Sequence, residues 1–296
     1  MADEVWTVRD ALGWTVDHLT RKGINQPRLS AEWLLSAATG LTRVELYTQH
    51  DRPLTPEERV RFREGIERRM AGEPLQYVTG EMPFRHLVLK VRPGVFIPRP
   101  ETEILVDVAL AALERRPAGG GHARPVVVDL CTGSGAVAVS IAYEVSGAVV
   151  HASDLNPLAV ETTRRNAEAA GVAGRVHVFE GDLFGPLPAD IVGRVSLVLA
   201  NPPYVPSADL PSLPAEVLGF EPHLALDGGT DGLKVARRIL AEAPRWLAPG
   251  GTLGMELDET RVADLVREME AAGWRDTCVT RDLAGRERVA SGRRAE

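Results

Sequence analysis

Cysteine is scarce in this chain of 296 residues, which has only Cys131 and Cys278. The two lie far apart and neither has the spacing of a metal ligand, so the sequence predicts no disulfide framework, no zinc site and no other bound metal. The first four residues, Met-Ala-Asp-Glu, are acidic and lack the basic and then apolar pattern of a signal peptide. No apolar run approaches the length that crosses a membrane. Together these absences predict a cytoplasmic protein without membrane association.

An excess of positive charge is also missing. The chain has 34 Lys and Arg against 41 Asp and Glu, for a net charge of −7. Such a balance argues against a broad non-specific hold on nucleic acid, although a local basic face could be hidden within it. What the chain does have is the apolar content of a globular protein, 44%, and a length suited to two domains.

Residues 1–73 have the pattern of a small bundle of four amphipathic helices. The predicted boundaries are Gly23, a cap at Ser30, Gly40, and the capping boxes Thr42 to Glu45 and Thr55 to Glu58. The fourth helix is rich in arginine, which favours a solvated face. The alternative is a docking surface for an acidic or RNA-rich partner.

Residues 74–100 change character, with five prolines and a β-prone run at 86–91, so we predict a linker containing a β-hairpin. A helix then follows through about Leu113, and a glycine-rich loop at 117–125 separates it from the next segment. From Val126 strands alternate with helices. Residues 101–296 are therefore predicted to form an α/β domain with a doubly wound, mostly parallel sheet. The strands are expected at 126–130, 149–153, 176–179, 195–200 and 252–257, with two short ones at about 275–281 and 286–290.

A glycine turn, Cys-Thr-Gly-Ser-Gly at 131–135, joins the first of these strands to its helix. Asp154, at the end of the second strand, is placed to bind ribose hydroxyls. A dinucleotide dehydrogenase is the runner-up, but the turn lacks the third glycine of its fingerprint. Asp129, just before the turn, would repel a phosphate and attract an ammonium or sulfonium group. These charges favour S-adenosylmethionine as the ligand, although each carboxylate alone could be a cap or a loop hydrogen bond.

The fourth predicted strand ends in Asn201, Pro202, Pro203 and Tyr204, at the edge where open α/β sheets bind ligands. The prolines stiffen the turn and remove backbone donors. The Asn201 side-chain oxygen and the neighbouring carbonyls can accept both hydrogens of a planar NH2 group, while the Tyr204 ring lies against its flat face. The stretch alone could also be an ordinary strand-ending turn. With the glycine turn before it, it predicts methyl transfer to an amide or exocyclic amine.

The whole chain resembles the bacterial release factor glutamine methyltransferases, and residues 101–296 resemble the class I S-adenosylmethionine-dependent methyltransferases, which have a seven-stranded sheet. The motifs that carry the resemblance are 73–77 (Glu-Pro-Leu-Gln-Tyr), 97–103 (Ile-Pro-Arg-Pro-Glu-Thr-Glu), 129–135, Asp154, 181–182, 201–204, 221–222 and 227–229. The segment Pro-Arg-Pro-Glu-Thr-Glu at 98–103 is the most specific of these. Asn-Pro-Pro-Tyr alone would also suit enzymes that methylate amino groups of DNA and RNA.

The resemblance implies a role for each matching residue. The cofactor site would consist of Asp129, Cys131, Thr132, Gly133, Ser134, Gly135, Asp154 at the ribose, Asp182 with Leu183 at the adenine, and Asn201. The glutamine substrate would contact Asn201, Pro202, Pro203, Tyr204, Arg99 and Glu101, with Asn201, Pro202 and Tyr204 as the catalytic residues. The sequence departs from the family pattern at two positions that concern cofactor affinity. Cys131 stands where many relatives have glycine, and Leu183 stands where some relatives have an aromatic residue.

The resemblance further implies that the substrate is a peptide chain release factor, so that the enzyme regulates translation termination. Residues 1–73 would dock it, and the enzyme would act as a monomer without a stable nucleic-acid partner. Three alternatives stay open. They are methylation of a ribosomal-protein glutamine, methylation of an adenine or guanine amino group in nucleic acid, and a non-catalytic adenosyl-binding module, which the intact Asn201 and Tyr204 disfavour.

Overall fold

The computed structural model describes residues 5–115 and 124–295. The first four residues and most of the predicted loop at 117–125 lie outside this range. The helices are α1 (Val8–Arg21), α2 (Pro27–Thr39), α3 (Arg43–Thr48), α4 (Pro56–Met70), α5 (Leu75–Thr79), α6 (Glu103–Glu114), α7 (Ala136–Glu144), α8 (Pro157–Ala169), α9 (Ala215–Phe220), α10 (Lys234–Trp246) and α11 (Val262–Ala271). The strands are β1 (Glu81–Phe84), β2 (Leu87–Lys90), β3 (Val126–Leu130), β4 (Val149–Asp154), β5 (Val176–Glu180), β6 (Val195–Ala200), β7 (Leu247–Glu256), β8 (Arg275–Arg281) and β9 (Glu287–Arg293). In the described part of the chain, no helix has the length and apolarity to cross a membrane.

The chain divides into two compact units, which are Met1–Glu81 with Pro214–Phe220, and Met82–Leu213 with Glu221–Glu296. The first unit is helical, with α1 to α5 and α9. Arg69 of α4 pairs with Glu216 of α9 at 3.0 Å, which ties the distant segment to this unit. Because α9 lies within a proline-rich stretch, the sequence did not predict it, and α5 likewise lies in the stretch predicted as a linker.

Side-chain caps begin three of the six helices described in the first unit. The boxes at Thr42 and Thr55 are confirmed, since each threonine and the glutamate three residues later cap one another's backbone N–H groups. The predicted cap at Ser30 is wrong. Helix α2 begins at Pro27, after Gln26 in the left-handed conformation, and the Ser30 N–H already donates to the Gln26 carbonyl inside the helix. Proline suits the first helical position because its missing N–H would have had no partner there.

The second unit contains the β1–β2 hairpin and a seven-stranded sheet in the order β5, β4, β3, β6, β7, β9, β8. The pairs from β5 through β7 are parallel, and β9 runs antiparallel between β7 and β8. The central strands β3, β4 and β6 are buried on both faces, as expected for parallel strands covered by helices. The predicted fold class, an α/β doubly wound sheet with a helical N-terminal region and a hairpin, is confirmed.

Strand order sets the location of the site. Strand β3 leads to β4 on one side, and β6 lies on its other side, so the order reverses at β3. In open α/β sheets the crevice at the carboxyl ends of such strands is where ligands bind.

Candidate active site

Three loops leave the same edge of the sheet side by side. Leu130 at the end of β3 is in register with Ser153 of β4 and with Ala200 of β6. The glycine turn, Asp154 and Asn201 come directly after these residues. The structure therefore brings together the three elements that sequence reasoning assigned to one site.

Asp129 lies beneath the glycine turn, with 1% of its surface exposed. Its carboxylate accepts a hydrogen bond from the Thr132 hydroxyl at 2.6 Å and another from the Ala138 N–H at 3.2 Å. Burial raises the pKa of Asp129 to about 7, against the opposing effect of these two donors. Asp129 thus holds both the turn and the first turn of α7, in addition to placing a carboxyl group at the site.

The glycine turn has the backbone conformation that its composition requires. Gly133 and Gly135 have φ values of 59° and 82°. A Cβ at Gly135 would also lie 2.7 Å from the Thr163 side chain, so both space and conformation demand glycine there. Cys131 has a φ of 57°, which is a strained value for a side chain of its kind. Burial raises the pKa of its thiol well above the ordinary value, so the thiol is neutral.

Asp154 contacts the glycine turn directly. Its Oδ2 accepts a hydrogen bond from the Gly133 N–H at 2.8 Å, and its Oδ1 accepts one from the Asn156 N–H at 2.9 Å. Burial is the main cause that raises the pKa of this carboxyl. Ser134 is 2% exposed, and its hydroxyl has no hydrogen-bond partner among the described residues.

Asp182 and Leu183, predicted at the adenine, follow β5 and have different surroundings. Asp182 forms a two-pronged ion pair with Arg238 of α10, at 2.6 and 3.2 Å. Leu183 is 6% exposed, packs in the core and has a φ of 48°. Its carbonyl accepts a hydrogen bond from the Ser153 hydroxyl at 2.7 Å, which fixes this bend. Arg238 was missed because nothing in the spacing of α10 connects it with a residue 56 positions earlier.

Asn201 is partly buried, and its Nδ2 donates to the Thr102 hydroxyl at 3.3 Å. Pro202 is buried, and the partly exposed Tyr204 packs against the core. Burial raises the pKa of the Tyr204 hydroxyl well above its ordinary value, so the ring is neutral.

Residues 226–232 pack directly against the backbone of residues 203–205. The Val205 N–H donates to Leu226, and the Gly228 N–H donates to Val205. A Cβ at Gly228 would lie 2.7 Å from the Pro203 carbonyl oxygen, and one at Gly232 would lie 2.3 Å from that of Tyr204. The glycines of this segment are therefore required for the close approach that fixes the turn after β6.

Arg99 and Glu101, predicted as substrate contacts, both have partners within the second unit. Arg99 donates to the buried Glu221 at 2.6 Å and lies over the Phe96 ring. Glu101 pairs with Arg286 of the β8–β9 turn at 3.0 Å. These pairs fix the segment 97–103 that carries Thr102.

Sequence reasoning also missed Glu256, the last residue of β7. It is 2% exposed, and its Oε2 has no hydrogen-bond partner in the residues described. Burial raises its pKa to about 7, and hydrogen bonding from Thr102 is the largest effect that opposes the rise. A lone glutamate closing an apolar strand at the ligand-binding edge was the signal that could have revealed it.

Three features together define a class I methyltransferase. They are the reversal of strand order at β3, the glycine turn with its acidic partner, and the asparagine followed by two prolines at the end of β6. Comparisons with known proteins narrow this class. Residues 10–80 match the family model "PrmC N-terminal domain", and residues 89–212 match "Methyltransferase small domain".

The release factor glutamine methyltransferase of Geobacter sulfurreducens is 43% identical over 290 residues, which cover 98% of each chain. That of Moorella thermoacetica is 42% identical, covering 95% of this chain and 96% of its own. The chain belongs to the family of release factor glutamine methyltransferases. Among solved structures, the catalytic domain of hMettl16 in complex with a MAT2A 3'UTR hairpin shares the fold, with 14% identity, a TM-score of 0.55, and coverage of 70% of this chain and 76% of that one.

Proposed function

We propose that this chain transfers a methyl group from S-adenosylmethionine to the side-chain amide nitrogen of a glutamine in a peptide chain release factor. The observation that carries the proposal is the position of Asn201, which follows β6 directly beside the glycine turn that follows β3. Methylation of a release factor is what the names of the full-length relatives specify.

The cofactor fits the residues present. A Cβ at Gly133 would have nothing within 4 Å, so the backbone there is open to a ligand, and the buried Ser134 hydroxyl offers an unpaired polar group beside it. Asp154 would hold the ribose and Asp182 the adenine edge, with Leu183 below. Above about pH 7, where its carboxyl is ionised, Asp129 supplies negative potential toward a cationic ligand. Bound S-adenosylmethionine supplies an electrophilic methyl group on a sulfonium centre.

Orientation is the main contribution of the chain to the reaction. A glutamine amide nitrogen is a weak nucleophile because its lone pair is delocalised into the carbonyl. The Asn201 Oδ1 and the Pro202 carbonyl accept its two N–H groups and fix the plane of the amide, while the Tyr204 ring packs on its face. Holding reactants in such a geometry contributes ~7–11 kcal/mol to lowering a barrier. The proton leaves after the nitrogen is methylated, so attack requires no general base.

The two parts of the chain have separate roles in this reaction. Residues 1–73 dock the release factor, 74–100 form the linker, and 101–296 carry out catalysis. The net charge of −7 is consistent with a protein substrate and with no stable nucleic-acid partner. The enzyme acts as a monomer in the cytoplasm, where release factors meet ribosomes.

The test supplies purified enzyme and labelled S-adenosylmethionine with release factor, ribosomal protein or DNA in parallel. The proposal expects label on the release factor, and mass spectrometry should place it on one glutamine side chain. Label on ribosomal protein or DNA alone would instead support one of the alternatives.

A further inference from the structure

We propose that Thr102 and Glu256 are positioning residues that determine which end of the Asn201 carboxamide faces the substrate glutamine. The inference rests on the proposed function, because it assigns the device that keeps the acceptor oxygen of Asn201 directed at the amide to be methylated.

The three residues come from three segments that the sheet brings together. Ala200 and Met255 are in register on the neighbouring parallel strands β6 and β7. Asn201 and Glu256 are the next residues after this pair, so they lie side by side at the end of the two strands. Thr102 ends the turn at Pro100–Thr102, immediately before α6. Helix α6 packs on this face of the sheet, since a Cβ on Gly254 would meet the Leu105 side chain at 3.4 Å.

Burial makes the direction of each hydrogen bond matter. Thr102 is 3% exposed and Glu256 is 2% exposed, so a polar group that loses its protein partner here cannot readily exchange it for bulk water. Asn201 presents a donor at one end of its carboxamide and an acceptor at the other, whereas Thr102 has a single hydroxyl proton to give.

The carboxylate of Glu256 resolves the choice. Burial is the largest effect on the Glu256 carboxyl and raises its pKa to about 7, so the group is ionised above that pH. An ionised carboxylate only accepts, so it takes the Thr102 proton. The hydroxyl oxygen then accepts from Asn201, as observed for Nδ2 at 3.3 Å. With Nδ2 held in this way, Oδ1 points away from Thr102 and is available to accept from the substrate N–H.

The charges around Glu256 are consistent with this assignment. Arg288 of β9 and Arg99 favour the ionised carboxyl, while Glu101 opposes it. Without the Thr102 acceptor the carboxamide can rotate by half a turn and present its NH2 group to the substrate NH2 group. Two donors would then face each other, and the amide to be methylated would not be held.

The decisive variant is Thr102→Val, which removes the hydroxyl and keeps the side-chain shape. We expect kcat to fall about tenfold, the effect of one lost hydrogen bond, with the KM for S-adenosylmethionine unchanged because the glycine turn is not touched. Thr102→Ser retains the hydroxyl and should restore most of the rate. The matched control is Thr162→Val, since Thr162 is also 3% exposed but its hydroxyl donates to Leu158 within α8. This control should retain the wild-type kcat.

A double-mutant cycle with Asn201→Ala separates positioning from general packing. If Thr102 acts through Asn201, Thr102→Val should lower kcat no further once the Asn201 side chain is gone. Independent, multiplying effects would overturn the proposal, as would a wild-type kcat in Thr102→Val. Should Thr102→Val fail to fold, Glu256→Gln tests the same point. Its neutral amide can donate to Thr102 and release the Asn201 orientation, so an unchanged kcat in that variant would also overturn the proposal. In both cases a large loss in Asn201→Ala would leave the proposed function intact.

Discussion

Replacement of Gly228 by alanine tests whether the turn after β6 is held by backbone contact. A Cβ at this position would lie 2.7 Å from the Pro203 carbonyl oxygen and 2.7 Å from the Tyr204 Cα. Ordinary van der Waals contact begins at 3.4 Å, so the backbone at 203–204 must move by about 0.7 Å. Both obstacles are backbone atoms and cannot turn aside as the end of a side chain could.

The expected consequence is a loss of rate rather than of cofactor binding. A misplacement of about 1 Å in a positioning group can cost on the order of 10²-fold in rate, so Gly228→Ala should lower kcat by roughly that factor. The hydrogen bonds that join Asp129, Gly133 and Asp154 are not disturbed, so affinity for S-adenosylmethionine, measured by calorimetry, should stay close to wild type.

The matched control is Gly147→Ala, in the same unit, where an added Cβ has nothing within 4 Å and φ is not in the left-handed region. It should leave kcat unchanged. A wild-type kcat in folded Gly228→Ala would refute the reasoning, because the turn would then tolerate displacement.

Three further predictions concern the two halves of the site and a buried charge. Asn201→Ala should keep cofactor affinity and lower kcat by on the order of 10²-fold, as for loss of one preorganised polar group; near-normal turnover would remove Asn201 from the mechanism. Gly135 has a φ of 82°, and an added Cβ would lie 2.7 Å from the Thr163 side chain, so Gly135→Ala should distort the glycine turn. Its affinity for the cofactor, measured by calorimetry, should fall more than tenfold, and an unchanged affinity would mean that the turn does not hold the ligand. Because burial raises the pKa of Glu256 from 4.5 to about 7, the stability that goes with its protonated form is complete below about pH 4.5 and is lost as the pH rises through 7. Denaturant titrations should therefore show a difference in the free energy of unfolding, Glu256→Gln minus wild type, that is more positive at pH 8 than at pH 5. An equal difference at both pH values would contradict this.

Strand period and turn chemistry were enough to predict the catalytic fold. Strands β3 to β6 appear as short apolar runs followed by turn residues, and their alternation with helices predicts a parallel, doubly wound sheet. The capping boxes at Thr42 and Thr55 were predicted because their hydrogen bonds join residues three apart. In these cases the interactions that decide the structure are local.

The features that sequence reasoning missed depend on contacts between distant segments. Helix α9 is stabilised in part by an ion pair between Glu216 and Arg69, which are far apart in the chain. The start of α2 was placed four residues late because the left-handed Gln26 before Pro27 has no sequence signal. The pairing of Asp182 with Arg238 and the approach of Glu256 to Thr102 likewise follow from sheet order and helix packing, and no spacing rule encodes them.

The most direct test of the account is the position of the methyl group on the product. Purified enzyme, S-adenosylmethionine and release factor are incubated, and the release factor is digested and sequenced by mass spectrometry beside a reaction with Asn201→Ala. The account predicts one methyl group on the side-chain amide nitrogen of a single glutamine, and on the order of 10²-fold less product with the variant. Methylation of a different residue type, or equal product from both enzymes, would contradict it.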